Sequence, residues 1–293
     1  MQNIHLFELN FIRYIQELRC PFFDFLFKAL NIVDTPIFSL ILIPILWMGV
    51  NWKWGARLLY IIIINAFLND FFKHLFMQPR PFDIDPSLGI ITVGGYGFPS
   101  GGAQTAVLYA AILFSCIKNK KWAWTIALNV VFWISLSRLY LGVHFITDIL
   151  GGYLVGAFIV FIFFYVFPYV EKEVKKMKLS QAFIYNLVFA FFMFFAVRRG
   201  WVMHLAISVV AISVGLVLSA KFNMFLKPSK TFLEGLLRSV LALLGMGIIL
   251  LLIYDHKGIL PIIILGYLLL GLWLGFFASL IWKKTFYKLK MFR

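Results

Sequence analysis

Long apolar segments separated by short polar ones run through most of this chain. From residue 35 onward there are nine, each close to the roughly 20 residues that an apolar helix needs to cross about 30 Å of hydrocarbon. We therefore predict nine transmembrane helices. They cover residues 35–50, 55–78, 102–117, 122–141, 146–169, 181–197, 201–220, 232–254 and 258–282.

The first 30 residues follow a different pattern. In residues 4–30, Leu, Ile and Phe are mixed with charged and amide side chains such as Glu8, Arg13 and Gln16. This amphipathic pattern favours a helix that lies in the membrane interface over one that crosses the bilayer. We expect one such helix before the first span.

Composition supports an integral membrane protein. Hydrophobic residues make up 62% of the chain and charged residues 13%, and the mean hydropathy is +0.93, whereas a soluble domain carries about 25% charged residues. The predicted fold class is all-α and membrane-integral. A net charge of +15 would suit nucleic acid, but the lysines lie at the ends of apolar segments and form no patch with interleaved aromatics. No nucleic-acid partner is expected.

The charge pattern also predicts an orientation and a domain division. If the spans alternate, most basic residues share one side, which the positive-inside tendency assigns to the cytoplasm. On that side a charged linker, residues 171–180, separates a membrane domain of residues 1–170 from a four-helix extension of residues 181–293. We expect a multi-pass protein of a bacterial inner membrane, with residues 78–101 and 138–146 facing the periplasm or the outside.

Candidate chemistry lies in three segments on that outer side. Lys73 is near the end of the second predicted span, and Arg80 follows it after six residues. Ionisable groups in a span are costly, which makes them functional candidates. Next, the small-residue segment 94–102 leads into a helix, and a helix N-terminus presents amide groups and a positive dipole end to an anion. The third segment contains Arg138, His144 and Asp148.

These groups match the needs of a phosphate dianion. Guanidinium groups bind phosphate oxygens bidentately, and a lysine adds point charge. His144 and Asp148 are four residues apart, so they share a helix face if a helix begins there. The carboxylate can then hold the imidazole in one tautomer, and such a histidine is a suitable nucleophile or base toward phosphorus.

The ordered motifs resemble those of the type 2 phosphatidic acid phosphatase superfamily of membrane phosphatases. The resemblance covers roughly residues 1–170 and implies a helical bundle like that of the family, with no metal or other cofactor. It rests on Lys73-x6-Arg80-Pro81, Pro99-Ser100-Gly101 and Ser137-Arg138-x5-His144-x3-Asp148.

The resemblance also implies a role for each matching residue. The phosphoryl group would be bound by Lys73, Arg80 and Arg138, by the hydroxyl and amide of Ser100, and by the amide of Gly101. His144 would attack phosphorus to form a phosphohistidine, which water hydrolyses. Asp148 would orient His144.

One position departs from the family pattern. The family continues Pro-Ser-Gly-His, and that histidine protonates the leaving oxygen, whereas this chain has Gly102. General acid catalysis contributes about 10²–10⁴-fold, so its loss affects an alkyl phosphate far more than a diphosphate, whose leaving phosphate tolerates negative charge. Candidate substitutes are His74, Tyr96, Tyr140 and a water near Gln104.

Three functions remain open. The first is a lipid phosphatase acting on a lipid phosphate or diphosphate of the phosphatidate, phosphatidylglycerophosphate or polyprenyl diphosphate type. The second is a lipid phosphotransferase, in which a bound acceptor replaces water. The third is a catalytically inactive binder or transporter of lipid phosphates. The motifs favour the first, and in each case the partners are a lipid phosphate and the surrounding membrane lipids.

Overall fold

In a computed structural model, the described residues are 2–174, 176–196, 200–255 and 259–286, and these contain helices and no strand. The helices before the predicted linker are α1 Gln2–Gln16, α2 Pro21–Leu30, α3 Pro36–Pro44, α4 Trp52–Phe76, α5 Pro81–Ile84, α6 Gly101–Cys116, α7 Lys120–Tyr140, α8 Ile146–Phe161 and α9 Phe167–Val174. The later ones are α10 Leu179–Ala196, α11 Gly200–Lys221, α12 Phe232–Asp255, α13 Leu260–Leu272 and α14 Ala278–Thr285. Short 3₁₀ turns (Asn31–Asp34, Pro86–Leu88) and wider π-helical stretches (Ile45–Val50, Ile162–Val166, Trp273–Phe277) adjoin them.

All nine predicted apolar segments are mostly helical over the residues that the structure describes, which confirms an all-α membrane protein. Among the described residues, five helical stretches have the length and hydropathy of a full span. They are Trp52–Ile84, Lys120–Tyr140, Ile146–Val174, Phe232–Asp255 and Leu260–Thr285. Three of the other predicted spans form shorter apolar helices. The first predicted span, residues 35–50, differs: it belongs to a pair of helices bent by 60° after Asp34.

The described helices form two compact units. The first draws on Met1–Ser39 and Ile64–Pro168, and the second on Leu40–Ile63 and Tyr169–Arg293. This division differs from the predicted one, which gave all of residues 1–170 to one domain. The predicted linker, residues 171–180, begins within a helix, because α9 continues through Val174.

Glycine contacts explain why the Leu40–Ile63 segment groups with the later helices. A Cβ added at Gly49 would lie 2.9 Å from the carbonyl oxygen of Gly235, so backbone meets backbone there. The Ser229 hydroxyl also donates to the Gly49 carbonyl at 2.6 Å. Small residues allow such close approach between membrane helices, and no spacing along the chain indicates which distant helix will use it.

The expectation of a single N-terminal helix over residues 4–30 is wrong. Two helices, α1 and α2, occupy this segment. Pro21 starts the second, and Cys20 before it is extended (φ −150°, ψ 162°). Proline restricts the preceding residue to extended backbone and cannot donate within a helix, so the break was readable from the sequence.

Helix α1 packs against other segments of the first unit through a few of its apolar side chains. Leu9 and Ile12 are buried in a cluster with Leu88, Phe145 and Ile149. Other large apolar residues of α1 are exposed in the protein, as Leu6, Phe7, Phe11 and Tyr14 show. An outer face of this composition is suited to lipid contact.

Four helix ends in the first unit carry the predicted site residues. The C-terminal ends of α4 and α7 hold Lys73 and Arg138, and the N-terminal ends of α6 and α8 hold Ser100 and Asp148. Helices α6 and α8 approach closely, because a Cβ added at Gly152 would lie 2.6 Å from the carbonyl oxygen of Ser100. The backbone amide of Ser100 also donates to the carbonyl oxygen of Asp148 at 2.9 Å.

The turn between α7 and α8 depends on one glycine. Gly142 has φ +69°, and a Cβ there would lie 2.0 Å from the carbonyl oxygen of Leu88. Gln16 of α1 donates to that same carbonyl at 2.9 Å and to the carbonyl of Tyr140 at 2.8 Å. The turn that precedes His144 is thereby fixed from two sides.

We predict that Gly142→Ala destabilises the protein by at least about 1–2 kcal/mol, because a left-handed conformation costs an L-residue that much before the contact with Leu88 is counted. Thermal unfolding in one detergent measures the effect. Gly94→Ala is the matched control: an added Cβ there meets nothing within 4 Å, so it should stay within about 0.5 kcal/mol of wild type. Equal melting of all three proteins would contradict this account of the turn.

Candidate active site

The predicted site residues form one connected network in the first unit. Lys73 contacts the loop before α6, this loop contacts Asp148, Asp148 contacts His144, and His144 contacts Arg80. Arg138 lies against Gly102 at the start of α6. The residues come from four separate segments, and the helix ends bring them together.

Arg80 is 3% exposed and is held by backbone oxygens. Its Nε donates to Gly95 (2.8 Å), and its terminal nitrogens donate to Gly94 (3.1 Å) and Val143 (2.9 Å). Its own amide donates to Asp83 at 2.8 Å, where the short helix α5 begins. Neutral carbonyls fix the guanidinium group and leave its positive charge available to an anion.

Lys73 lies in the last turn of α4 and is bound in a similar way. Its ammonium group donates to the carbonyl oxygens of Tyr96 and, at 3.3 Å, Gly97. A lysine near a helix end can extend toward the interface, but here the ammonium group contacts the loop that leads into α6. It adds positive charge next to the segment that contains Ser100.

The hydrogen bonds of His144 define its tautomer. Arg80 can only donate, so its bond to Nε2 (3.2 Å) makes Nε2 the acceptor. In the neutral ring the proton is then on Nδ1, which lies 3.2 Å from Oδ2 of Asp148. Asp148 is fully buried, and the same oxygen accepts the Phe145 amide at 2.9 Å. The lone pair of Nε2 therefore points away from Asp148, toward Arg80.

The environment of His144 favours the uncharged ring. Burial lowers its pKa well below the ordinary value of 6.5, and the positive charges of Arg80, Lys73 and Arg138 lower the pKa further. A histidine is charged only below its pKa, so His144 is neutral at pH 7. This is the state in which Nε2 can act as a nucleophile.

The N-terminus of α6 is open toward an anion. Ser100 caps the helix, and its hydroxyl accepts the Ala103 amide at 3.4 Å. The amides of Gly101 and Gly102, in the first turn, have no acceptor within the helix. The amide of Ser100, which the resemblance assigns to the phosphoryl group, donates instead to the carbonyl of Asp148. The assignment of the Ser100 hydroxyl, the Ser100 amide and the Gly101 amide to the phosphoryl group stays a prediction.

Arg138 has acidic and amide partners that the sequence did not indicate. It is 1% exposed, and one terminal nitrogen donates to Asn31 (2.6 Å) and Asp34 (3.1 Å). Its other nitrogens donate to the Ser137 hydroxyl at 3.0 and 3.1 Å. Asn31 and Asp34 belong to the 3₁₀ turn after α2. The available signal was a lone acidic residue next to an apolar segment, which is costly and therefore a functional candidate.

Two of the proposed substitutes for the missing histidine, Tyr140 and His74, have other partners, and so does Gln104, the residue next to the proposed water. The Tyr140 hydroxyl donates to Asp24 at 2.7 Å. His74 Nδ1 lies 2.7 Å from the Asp70 carbonyl, and its ring packs edge-on against Tyr96. The Gln104 amide bridges the Asn65 carbonyl and the Asn69 side chain. These contacts give Gln104 and Tyr140 structural roles in this part of the fold.

Two polar residues of α1 also support the site. Glu8, 2% exposed, accepts the Thr147 amide at 2.8 Å at the start of α8. Gln16 fixes the turn before His144, as described above. The sequence placed both on the polar side of an interfacial helix, because amphipathicity alone does not distinguish a polar residue facing water from one bonded to a neighbouring loop.

Metal binding was not expected from the resemblance. Among the described residues, no group of three or more His, Cys, Asp and Glu side chains is close enough together to hold a metal ion. The absence of a cofactor requirement stays a prediction, which a chelator tests in the assay below.

Comparisons with known proteins agree with the motifs. The PAP2 superfamily description matches residues 54–172. Lipid A 4'-phosphatase of Porphyromonas gingivalis is 34% identical over 125 residues, which are 41% of this chain and 52% of that protein. Phosphatidylglycerophosphatase B of Bacillus subtilis is 29% identical over 158 residues, 50% of this chain and 75% of that protein. Undecaprenyl-diphosphatase of Sulfolobus acidocaldarius is 30% identical over 112 residues, 38% of this chain and 53% of that protein.

We predict that His144 stays neutral at pH 6.5 and takes up a proton only at more acidic pH. The ¹⁵N shifts of labelled histidines, assigned by difference against His144→Gln, report this directly. Arg80→Ala should move the titration to higher pH, because it removes one of the positive charges that disfavour the imidazolium ion. A His144 that titrates at or above pH 6.5 in the unmodified protein would contradict the described environment.

Proposed function

We propose that this chain, whose residues 54–172 match the PAP2 superfamily, is a membrane phosphatase that removes phosphate from a lipid phosphate or diphosphate. The observation that carries the proposal is the buried chain of contacts from Arg80 to His144 to Asp148. These contacts bring together a fixed cation, a neutral nucleophile and an orienting carboxylate, in that order.

Phosphoryl binding follows from the charges. Lys73, Arg80 and Arg138 provide three positive charges, and the first turn of α6 provides amide donors. In a site with little water, these preorganised groups interact strongly with an anion. The three cations and the helix end therefore make a receptor for the phosphoryl group of a substrate.

Nucleophilic attack follows from the tautomer. When phosphoryl oxygens accept the hydrogen bonds of Arg80, Nε2 of His144 is released to face phosphorus. Its lone pair forms the N–P bond while the P–O bond to the lipid breaks, and the electron pair leaves with the lipid oxygen. Water then attacks the phosphohistidine, the N–P bond returns its electrons to Nε2, and phosphate is released. Asp148 stabilises the positive ring in between.

Substrates of lipid type suit a multi-pass membrane protein with its site at helix ends. The relatives' names refer to lipid A, phosphatidylglycerophosphate and undecaprenyl diphosphate, which share a phosphoryl group on a lipid anchor. We propose a bacterial inner-membrane location with the site facing outward, supported by the charge bias of the loops. Reporter fusions at residues 90 and 226 should then lie on opposite sides.

We predict that the purified protein releases phosphate from at least one member of a lipid panel and that His144→Ala abolishes release. The panel contains phosphatidate, phosphatidylglycerophosphate, lipid A and a polyprenyl diphosphate, assayed in detergent with and without a chelator. His74→Ala is the matched control, because its ring contacts Asp70 and Tyr96, and it should keep activity.

Two outcomes would contradict the phosphatase proposal and favour a different function. Binding of these lipids without any turnover, equal in wild type and His144→Ala, would identify a binder or transporter. Loss of lipid phosphate without free phosphate, dependent on an added acceptor alcohol, would identify a phosphotransferase.

We also predict that Asp148→Asn lowers kcat by about 10²–10⁴-fold with little change in KM. The amide oxygen can still accept from Nδ1 and from the Phe145 amide in the place of Oδ2, but the variant lacks the negative charge that stabilises the positive ring formed when His144 attacks. Glu8→Gln is the control, since Glu8 contacts the same helix start through Thr147 without touching His144. Equal losses in both variants would mean that Asp148 only stabilises α8.

A further inference from the structure

We propose that Asp34 is the general acid of this site, replacing the histidine that the family has at position 102. The inference rests on the proposed phosphatase function and concerns the one catalytic group that the motifs lack. Asp34 is remote from Gly102 in the chain, and no motif includes it.

The geometry at Gly102 is the first observation. A Cβ added there would lie 3.1 Å from Oδ2 of Asp34 and 3.0 Å from Cδ of Arg138. A Cβ added at Gly101 would lie 3.4 Å from Oδ1 of Asp34. The carboxyl group thus lies over the first turn of α6, in the space that a side chain at position 102 would enter. The absence of a side chain at Gly102 makes room for Asp34.

The contact with Arg138 is the second observation. Asp34 Oδ2 lies 3.1 Å from a terminal nitrogen of Arg138, one of the three cations assigned to the phosphoryl group. Arg80 contacts His144, and Arg138 contacts Asp34. A phosphoryl group bound by both arginines therefore has the nucleophile next to one arginine and the carboxyl group next to the other, as attack on one side and departure on the other require.

Charge balance supplies the proton. The partly exposed Asp34 carboxyl group lies beside Arg138, where the phosphoryl group would bind. A bound phosphate dianion brings two negative charges next to this carboxylate. Like charges that share a site cannot all stay ionised, so the carboxylate and phosphate oxygens share a proton. Substrate binding therefore loads Asp34 with the proton that the leaving group needs.

The step balances as follows. The Nε2 lone pair of His144 forms the N–P bond, the P–O bond to the lipid breaks, and the leaving oxygen keeps the electron pair and takes the proton of Asp34. The lipid departs as an alcohol. In the second half, water attacks phosphorus and gives a proton to the Asp34 carboxylate, which restores the acid. With this acid present, lipid monophosphates as well as diphosphates are suitable substrates.

Dependence on the leaving group tests the proposal. Asp34→Asn keeps the shape and removes the proton, so turnover of an alkyl phosphate such as phosphatidate should fall about 10²–10⁴-fold. Turnover of p-nitrophenyl phosphate should fall much less, because a nitrophenolate leaves without a proton. The high-pH limb of the alkyl phosphate profile should also disappear.

Asn31→Ala is the matched control. Asn31 binds the same Arg138 nitrogen from the same 3₁₀ turn but offers no acidic proton, so any loss should be equal for the two phosphates. Equal losses in Asp34→Asn, or none, would overturn the role of Asp34 while leaving the phosphatase proposal intact. If the wild-type protein hydrolysed neither of the two phosphates and no lipid of the panel, both the role of Asp34 and the phosphatase proposal would be wrong.

A swap keeps the test independent of the folding of one variant. Gly102→His alone should lower alkyl phosphate turnover, because its Cβ meets Asp34 and Arg138. The double variant Gly102→His/Asp34→Gly should turn over the alkyl phosphate faster than Asp34→Gly alone, because the histidine on α6 then donates the proton. If Gly102→His alone raised alkyl phosphate turnover above wild type, the native site would lack an acid and the proposal would be wrong.

Discussion

The burial of three cations where four helices end is the constraint on which the rest of the first unit depends. Lys73, Arg80 and Arg138 are largely removed from water, and unpaired charges in such surroundings are strongly unfavourable. Carbonyl oxygens of the loop before α6 and of Val143 accept from Arg80 and Lys73. Asn31, Asp34 and Ser137 surround Arg138. In the proposed function a bound phosphoryl group supplies the remaining compensation, so the cations that are unfavourable in the empty site become favourable in the occupied one.

The fold holds these groups through backbone geometry more than through side-chain pairs. Gly142 allows a turn that brings His144 beside Arg80, and Gly152 lets α8 approach the start of α6 closely enough for Ser100 to bond to Asp148. The N-terminal helix α1 reinforces both places through Gln16 and Glu8. The candidate groups are thus held by contacts between separate segments of the first unit, and α1 is part of their support.

The sequence predicted the parts of this structure that follow from local patterns. Apolar periodicity located the helices, and the spacing of His144 and Asp148 placed both at one helix start. The missed features come from contacts between distant segments. Asp34 reaches Gly102 across 68 positions, and the partners of Gly49 lie far along the chain; local patterns do not specify either contact. The break before Pro21 is a local feature, because proline chemistry specifies it.

The interpretation of Gly102 differs between the sequence and the structure. In the sequence, glycine stands where the family has a proton-donating histidine, which weakens the case for a phosphatase. In the folded protein, the lack of a side chain at Gly102 leaves room for the Asp34 carboxyl group. A histidine at position 102 and a carboxyl group at this position would therefore exclude each other sterically. Every group assigned to the proposed reaction belongs to the first unit.

In the proposed mechanism, His144 accepts the phosphoryl group from a lipid. Trapping the protein during turnover of a ³²P-labelled lipid phosphate, followed by peptide mapping, tests this step. We expect an acid-labile, base-stable phosphate on the peptide that contains His144, and its loss in His144→Ala. Turnover without any protein-bound phosphate, or phosphate on another residue, would contradict it.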